Sequence, residues 1–195
     1  MPPFIRAARQ LAKRVEGELA SLAMEKTRVE IRVEPAPWSA CGVDTVQFLV
    51  SPNLGEEPKP LDKIASGGEL SRIALALKTC TAPANFKKNT SPRTLVFDEV
   101  DAGVGGSAAE AVGRRLKKLA ASNQVLCVTH LAQIAGFADH HYFVEKNTAK
   151  GRTRATVEEL SAPQRMREIG RMLSGERLTP EALRHAEQLL KLAAE

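Results

Sequence analysis

Residues 94–106, TLVFDEVDAGVGG, constrain this chain more than any other stretch. Thr94-Leu95-Val96-Phe97 is short, apolar and without alternation, which predicts a strand buried on both faces, as in a parallel sheet. Asp98 and Glu99 arrive at its end, and Asp101 follows. Gly103, Gly105 and Gly106 then lead into a helical pattern over Ser107–Ala121, with Ala111, Val112, Leu116 and Leu119 apolar. Strand, acidic turn and helix in that order make an α/β unit. In open parallel sheets, ligands bind at the carboxyl ends of the strands. Ionised carboxylates are costly to bury unpaired, so a cation or a reacting water is their natural company there.

Two readings of that end are open. An apolar strand ending in Asp-Glu is the Walker B pattern, in which Asp98 would hold Mg2+, directly or through water, and Glu99 would polarise an attacking water. The other is a strand that simply ends in acidic turn residues. The spacing Gly103-x-Gly105 is superficially that of a dinucleotide fingerprint, but two acidic residues precede it and the later glycine is misplaced.

Two further stretches bear on the choice. Over Lys63–Lys78 (KIASGGELSRIALALK), Ser66-Gly67-Gly68 precedes a run with Leu70, Ile73, Ala74 and Leu77 on one helical face. Ser66 and Glu69 have capping-box spacing. Paired glycines at a helix start leave backbone N–H groups bare at the positive end of the helix dipole, which suits a phosphate, although an ordinary glycine-rich helix entry reads the same way. Gln124–Thr129 (QVLCVT) predicts a second buried strand, ending at His130. That histidine is placed to reach the same ligand, or to serve as a structural hydrogen-bonder.

The rest of the chain reads as scaffold. Phe4–Lys26 predicts an amphipathic helix, with Ile5, Leu11, Val15, Leu19, Leu22 and Ala23 at three- and four-residue steps. Arg28–Glu34 alternates as a half-buried strand that Pro35-Ala36-Pro37 should end. Thr45–Val50 pairs with it, with Cys41-Gly42 in the connection. Ser51–Pro60 and Asn85–Arg93 read as loops. After a short helix at Leu131–Ala138, His140–Lys146 and Thr153–Leu160 predict edge strands joined by a turn at Gly151. His140 and His141 are adjacent and make a poor metal pair. Pro163–Leu173 and Thr179–Ala194 predict helices, the second with Thr179 as N-cap and Pro180 at its first position.

Composition excludes several classes. Aromatics are 4% of residues, too few for stacking platforms on single-stranded nucleic acid. The net charge of +5 permits contact with DNA, but no long Lys/Arg block carries it. Cys41, Cys80 and Cys127 show no CxxC spacing and read as thiols of a reducing compartment. No apolar run approaches the ~20 residues of a membrane span, and MPPFIRAARQ lacks a signal-peptide core. The expected compartment is the cytoplasm.

Ser66-Gly67-Gly68-Glu69 opening a helix, a strand ending Asp98-Glu99, then Asp101, then a strand ending at His130 together resemble the ATP-binding-cassette ATPases. In that family these are the signature motif, Walker B, the D-loop and the switch histidine. KIASGGELSRIALALK, TLVFDEVDAGVGG, QVLCVTHLAQIAGFADHHYFVEK and the tail MREIGRMLSGERLTPEALRHAEQLL resemble most closely the RecN branch, SMC-like ATPases of bacterial DNA repair. The resemblance spans nearly the whole chain. It implies an α/β fold, the C-terminal half of an ABC/SMC-type P-loop NTPase head, with mostly parallel central strands, flanking helices and antiparallel edge strands. Residues 1–27 would be the foot helix of a coiled coil and residues 28–195 the C-terminal lobe of the head.

The signature here reads Ala65-Ser66-Gly67-Gly68-Glu69 where transporter cassettes read LSGGQ, as suits the RecN and SMC branch. No G-x-x-x-x-G-K-[ST] occurs in the 195 residues, so the resemblance implies that the Walker A lobe is an N-terminal part of the same protein. The implied cofactors are ATP and Mg2+. The implied partners are that lobe, a second head in a head-to-head homodimer, and DNA for the full protein, with no membrane and a nucleoid association. Carried over, Asp98 positions Mg2+, Glu99 activates water and His130 contacts the γ-phosphate region. Ser66, Gly67, Gly68 and Glu69 form the signature that meets the opposite head's nucleotide, and Asp101 couples the two sites. The chain alone is expected to be inactive. A different class stays open: a non-catalytic head-dimerisation or DNA-interaction module.

Overall fold

A computed structural model describes residues 3–193, apart from 41, 54, 65, 82–92, 150, 151 and 176. Cys41, Ala65, most of the expected loop at 85–93 and the turn at Gly151 therefore lie outside the described residues. The chain divides into two compact units, Met1–Val128 and Thr129–Glu195. Among the described residues no helix is long and apolar enough to cross a membrane.

The first unit begins with helix α1 (Pro3–Ala20), which buries Ala8, Ala12, Val15 and Leu19 along one face. The periodicity continues to Lys26, but the helix does not. Ala23 takes a left-handed φ of 59°, and the Met24 N–H bonds back to the Leu19 carbonyl at 3.1 Å. This is a Schellman closure, which satisfies a terminal carbonyl and turns the chain. Leu22 and Met24 are buried after the helix has ended, so their apolar character serves the turn.

Strands β1 (Arg28–Ser39) and β2 (Gly42–Ser51) form an antiparallel hairpin, and β3 (Lys59–Pro60) adds to β2. Pro35-Ala36-Pro37 was expected to end β1, yet the strand continues through it. β1 is an edge strand, where missing N–H donors are tolerated, and its register shifts between Pro35 and Ser39. The 51–60 loop likewise ends in strand. One face of the hairpin pairs Val29 with Val50, Ile31 with Phe48 and Val33 with Val46.

Helix α2 (Gly67–Thr81), strand β4 (Thr94–Phe97), helix α3 (Gly106–Ala120) and strand β5 (Gln124–Cys127) complete the unit. β4 and β5 pair in parallel, Leu95 opposite Val125 and Phe97 opposite Cys127. They are not buried on both faces as their composition predicts. Phe97 is buried and Leu95, Val125 and Cys127 are half-buried. On the other face Val96, Leu126 and Val128 are 66%, 48% and 64% exposed.

The second unit opens with Thr129 and His130 and contains α4 (Ala132–Ala135), the antiparallel hairpin β6 (Tyr142–Ala149) and β7 (Arg152–Glu159), α5 (Ala162–Ser174) and α6 (Pro180–Leu192). Its core gathers Ala132, Ala135, Ile169 and Ala186, with Met166, Met172, Leu173 and Leu190 packed against them. Small residues let α4 and α6 approach closely: a Cβ on Gly136 would collide with the Leu189 side chain. Ser161 and Gln164 close a capping box on α5, and Thr179 Oγ1 accepts from the Ala182 N–H at 3.1 Å with Pro180 at the first helical position. His140 and His141 precede β6. His140 Nδ1 lies 2.7 Å from Glu159 Oε1, and His141 Nδ1 is buried without a partner among the described residues.

Candidate functional site

The candidate site of the first unit is the meeting of the start of α2 with the turn that follows β4. Ser66 stands at the N-cap. Its carbonyl accepts from the Leu70 N–H at 3.0 Å, and its Oγ accepts from the Glu69 N–H at 3.3 Å, the N-cap half of a capping box. Crowding requires glycine at 68, whereas at 67 a side chain would only displace the mobile end of Glu99. A Cβ on Gly67 would collide with Glu99 Oε2, and a Cβ on Gly68 would lie 2.6 Å from Ala102 Cβ and 3.1 Å from the Glu99 carbonyl. The Glu99 carboxylate thus lies against the first turn of α2, where the helix dipole favours an anion.

The acidic turn is tightly specified. Asp98 and Glu99 are exposed, and Asp101 is 5% exposed. Asp98 Oδ1 accepts from the Glu99 N–H at 2.9 Å. Ala102 N–H donates to the Glu99 carbonyl and Val104 N–H to the Asp101 carbonyl, both at 3.1 Å. Glu99 itself takes a φ of 55°, a left-handed conformation that is uncommon outside glycine and costs roughly 1–3 kcal/mol. Such residues persist where surrounding contacts over-determine them.

The negative field of this turn reaches the neighbouring strand. Burial first, then the charges of Asp101 and Asp98, push the Cys127 thiol up to about 12. Neither Asp98 nor Glu99 has an ion pair among the described residues. Mg2+ is typically held by one or two carboxylates with waters and substrate phosphates completing the shell. Two adjacent, exposed carboxylates at the end of a parallel strand could supply such ligands, while among the described residues no group of three or more His, Cys, Asp or Glu is gathered as a metal site.

Six of the seven residues singled out in this unit by sequence (Ser66, Gly67, Gly68, Asp98, Glu99 and Asp101) therefore belong to one packed cluster, and Glu69 is half-buried on the same first turn. His130 belongs to the second unit, exposed, three residues beyond the end of β5 in sequence.

The buried face of α2 differs from the expected one. Leu70 is 40% exposed and Ala74 is exposed. Gly68, Arg72, Ile73, Leu75, Ala76 and Cys80 turn inward. Ser71 and Arg72, which sequence reasoning passed over, reach the acidic turn: Ser71 Oγ donates to the Asp98 carbonyl at 2.7 Å, and Arg72 Nη1 to the Ala102 carbonyl at 2.6 Å. The signal was available in the four-residue phase Gly68, Arg72, Ala76, Cys80, which puts the arginine on the small-residue face.

No family model matches the chain. Individual relatives do. It is 43% identical over 188 residues to the DNA repair protein RecN of Vibrio cholerae, covering 95% of this chain and 33% of that protein. The RecN of Bacillus subtilis is 40% identical over 202 residues, covering 95% and 34%. That of Streptomyces coelicolor is 44% identical over 201 residues, covering 96% and 34%. Among solved structures, the Smc head domain with coiled coil and joint from Pyrococcus yayanosii superposes with a TM-score of 0.54 at 22% identity, covering 85% of this chain and 29% of that one. The Smc head from Pyrococcus furiosus gives 0.52 at 21% identity, covering 84% and 37%. The chain has an α/β fold like that of the Smc head domains, and it is a relative of the RecN DNA repair proteins that spans about a third of their length.

Proposed function

We propose that this chain is the C-terminal lobe of a RecN-type ATPase head, which supplies the signature motif and Walker B to ATP-driven head pairing in double-strand break repair. One observation carries the reading: the glycine-opened start of α2 and the carboxylate turn after β4 pack into a single cluster at the carboxyl end of a parallel strand pair. The bare apolar face of Val96, Leu126 and Val128 supports a further part of it, since a Walker A-bearing lobe of the same protein would cover that face. Residues 1–27 would then root a coiled coil. The protein would work in the cytoplasm on the nucleoid.

In this reading Ser66 and the amides of Gly67 and Gly68 bind the γ-phosphate held by an opposing head, helped by the α2 dipole. Glu99 orients the attacking water and takes up its proton. Asp101 would couple the two sites across the head–head interface, and His130 would contact the γ-phosphate region. Mg2+, held by Asp98, would offset charge on the phosphate oxygens. Phosphoryl transfer asks mainly for positioning and charge stabilisation, which these residue types provide.

The test is ATP turnover by this chain alone, and then mixed with a Walker A-bearing lobe. The expected result is silence alone and turnover on mixing. Glu99→Gln should abolish that turnover, trap ATP and prolong head dimerisation. Turnover by the chain alone, or turnover unchanged in Glu99→Gln, would overturn the site assignment.

A second reading has its own observation. Glu18, Thr79, Arg114, Arg115 and Lys118 line a recess among α1, α2 and α3. Arg115 is paired to Glu18 at 3.0 Å and Arg114 to Glu110 at 4.0 Å, and Lys118 adds a further positive charge beside them for a DNA phosphate. If the two lobes associate but never hydrolyse ATP, and duplex binding weakens steeply with salt and with Arg114→Ala, the chain is a DNA-interaction module.

A further inference from the structure

The buried face of α2 carries one group that the phosphate site and the acidic turn do not explain. Arg72 is 7% exposed. Its Nη1 donates to the Ala102 carbonyl at 2.6 Å, and its Nε is buried with no partner among the described residues. Its neighbours on the same face are Gly68, Ala76 and Cys80, so an apolar side chain would fill the space without the desolvation cost of a guanidinium. What an apolar side chain would lack is a donor to the 98–102 turn.

That donor is half of a bracket. Ser71, the preceding residue, donates its Oγ to the Asp98 carbonyl at 2.7 Å. Two consecutive residues of one helix thus hold the carbonyls at the two ends of a five-residue turn. Gly68, one helical turn earlier, sets its backbone against Ala102 Cβ and the Glu99 carbonyl. Within the bracket sits Glu99, in a backbone conformation that needs outside support. The two bonds span 27 and 30 residues of sequence, so nothing local could replace them.

We propose that Arg72 is a positioning residue: with Ser71 it fixes the 98–102 turn to α2, so that the Glu99 carboxylate and the Gly67–Gly68 amides move as one body. Arg72 touches no nucleotide. The geometry stands by itself, and its catalytic consequence rests on the ATPase reading above. In a paired head, a phosphate seated on the start of α2 by the opposing head would then shift Glu99 directly.

The experiment has two arms, with Arg72→Ala, Arg72→Lys and Ser71→Ala in each. In the first, amide hydrogen exchange is measured on this 195-residue chain. Arg72→Ala should accelerate exchange at the Ala102 and Val104 amides on the order of tenfold, the equivalent of one lost charge-assisted hydrogen bond. Ser71→Ala and Arg72→Lys should do so less, with α1 and α6 unchanged in all three. In the second arm, ATP turnover is measured with the Walker A-bearing lobe. Arg72→Ala should lower kcat on the order of 100-fold with little change in KM, and Arg72→Lys should recover part of it. Unchanged exchange in the turn overturns the bracket. A loosened turn with undiminished kcat overturns the positioning role, as does equal loss in the Ala and Lys variants. Should the unsubstituted head hydrolyse no ATP, the ATPase reading fails while the exchange arm still decides the bracket. If Arg72→Ala does not fold, Arg72→Lys, which keeps the charge without the guanidinium geometry, decides both arms: unchanged exchange or undiminished kcat in it overturns the role of Arg72, and Ser71→Ala reports the other bond of the bracket.

Discussion

Two glycine-to-alanine substitutions in helices should move stability in opposite directions. Gly17 lies in α1, and a methyl group added there would meet nothing within 4 Å, so Gly17→Ala should gain the full helix preference, about 1 kcal/mol. Gly68→Ala would place its Cβ 2.6 Å from Ala102 Cβ, 3.1 Å from the Glu99 carbonyl and 3.3 Å from the Ala102 carbonyl. Non-bonded carbons rest about 3.5–4.0 Å apart, so the turn must retreat by roughly 1 Å. Overpacking of this kind costs about 1–3 kcal/mol, and the helix gain offsets part of it. The expected net loss is about 0–2 kcal/mol. In the proposed head, assembled with a Walker A-bearing lobe, the same displacement of about 1 Å should lower turnover on the order of 100-fold. The clash names its own rescue. Ala102→Gly removes the shortest contact at an exposed position, so the double variant should regain on the order of 1 kcal/mol over the additive expectation. Urea unfolding followed by circular dichroism measures each variant against the unsubstituted protein. Gly68→Ala as stabilising as Gly17→Ala, or a strictly additive double variant, would refute the close packing of α2 on the turn.

Three other outcomes are expected. The Cys127 thiol, pushed up to about 12 by burial and by Asp101 and Asp98, should resist alkylation at pH ~9, just above the ordinary thiol range, and Asp101→Asn should speed it; labelling at the rate of an unfolded thiol would contradict this. Because the folded state holds that proton more tightly, the associated stability is present below the ordinary thiol range and lost as pH climbs towards 12. His141 is shifted the other way: burial, then Arg165, lower its pKa, against Glu168. Its protonation favours the unfolded chain, so stability present above the ordinary histidine range, ~6.5, falls away as pH drops below it. His141→Gln should flatten that acid-side loss in thermal melts. Ala23 holds a φ of 59°, and Ala23→Gly should stabilise the first unit by about 0.5–1 kcal/mol in urea unfolding; destabilisation would argue against the Schellman turn after α1.

Local chemistry made several elements legible from residues alone. Ser66 with Gly67-Gly68 announced the start of α2, Thr179-Pro180 the start of α6, and strict alternation over Arg28–Glu34 a strand with one apolar face. Capping, proline placement and period are properties of neighbours in sequence, and the tertiary structure did not override them there. The end of α1 was illegible because Leu22 and Ala23 continue the helical period while the chain has already turned. Composition could not tell whether Val96, Leu126 and Val128 are covered. An apolar β-branched run reads the same against a helix or against water.

The amino-acid order by itself determined which chemistry is available: a glycine-opened helix start, an apolar strand ending in two carboxylates, and no Walker A in the chain. Only the tertiary structure decided how those pieces touch. It rotated the buried face of α2 so that Arg72 points inward, brought Ser71 and Arg72 to carbonyls 27 and 30 residues away, and left one face of the β4–β5 pair bare. Hydrogen bonds between distant segments depend on helix phase and on which layer covers which. Those are settled by packing of the whole unit, whereas caps and strand ends are settled within a turn or two of chain.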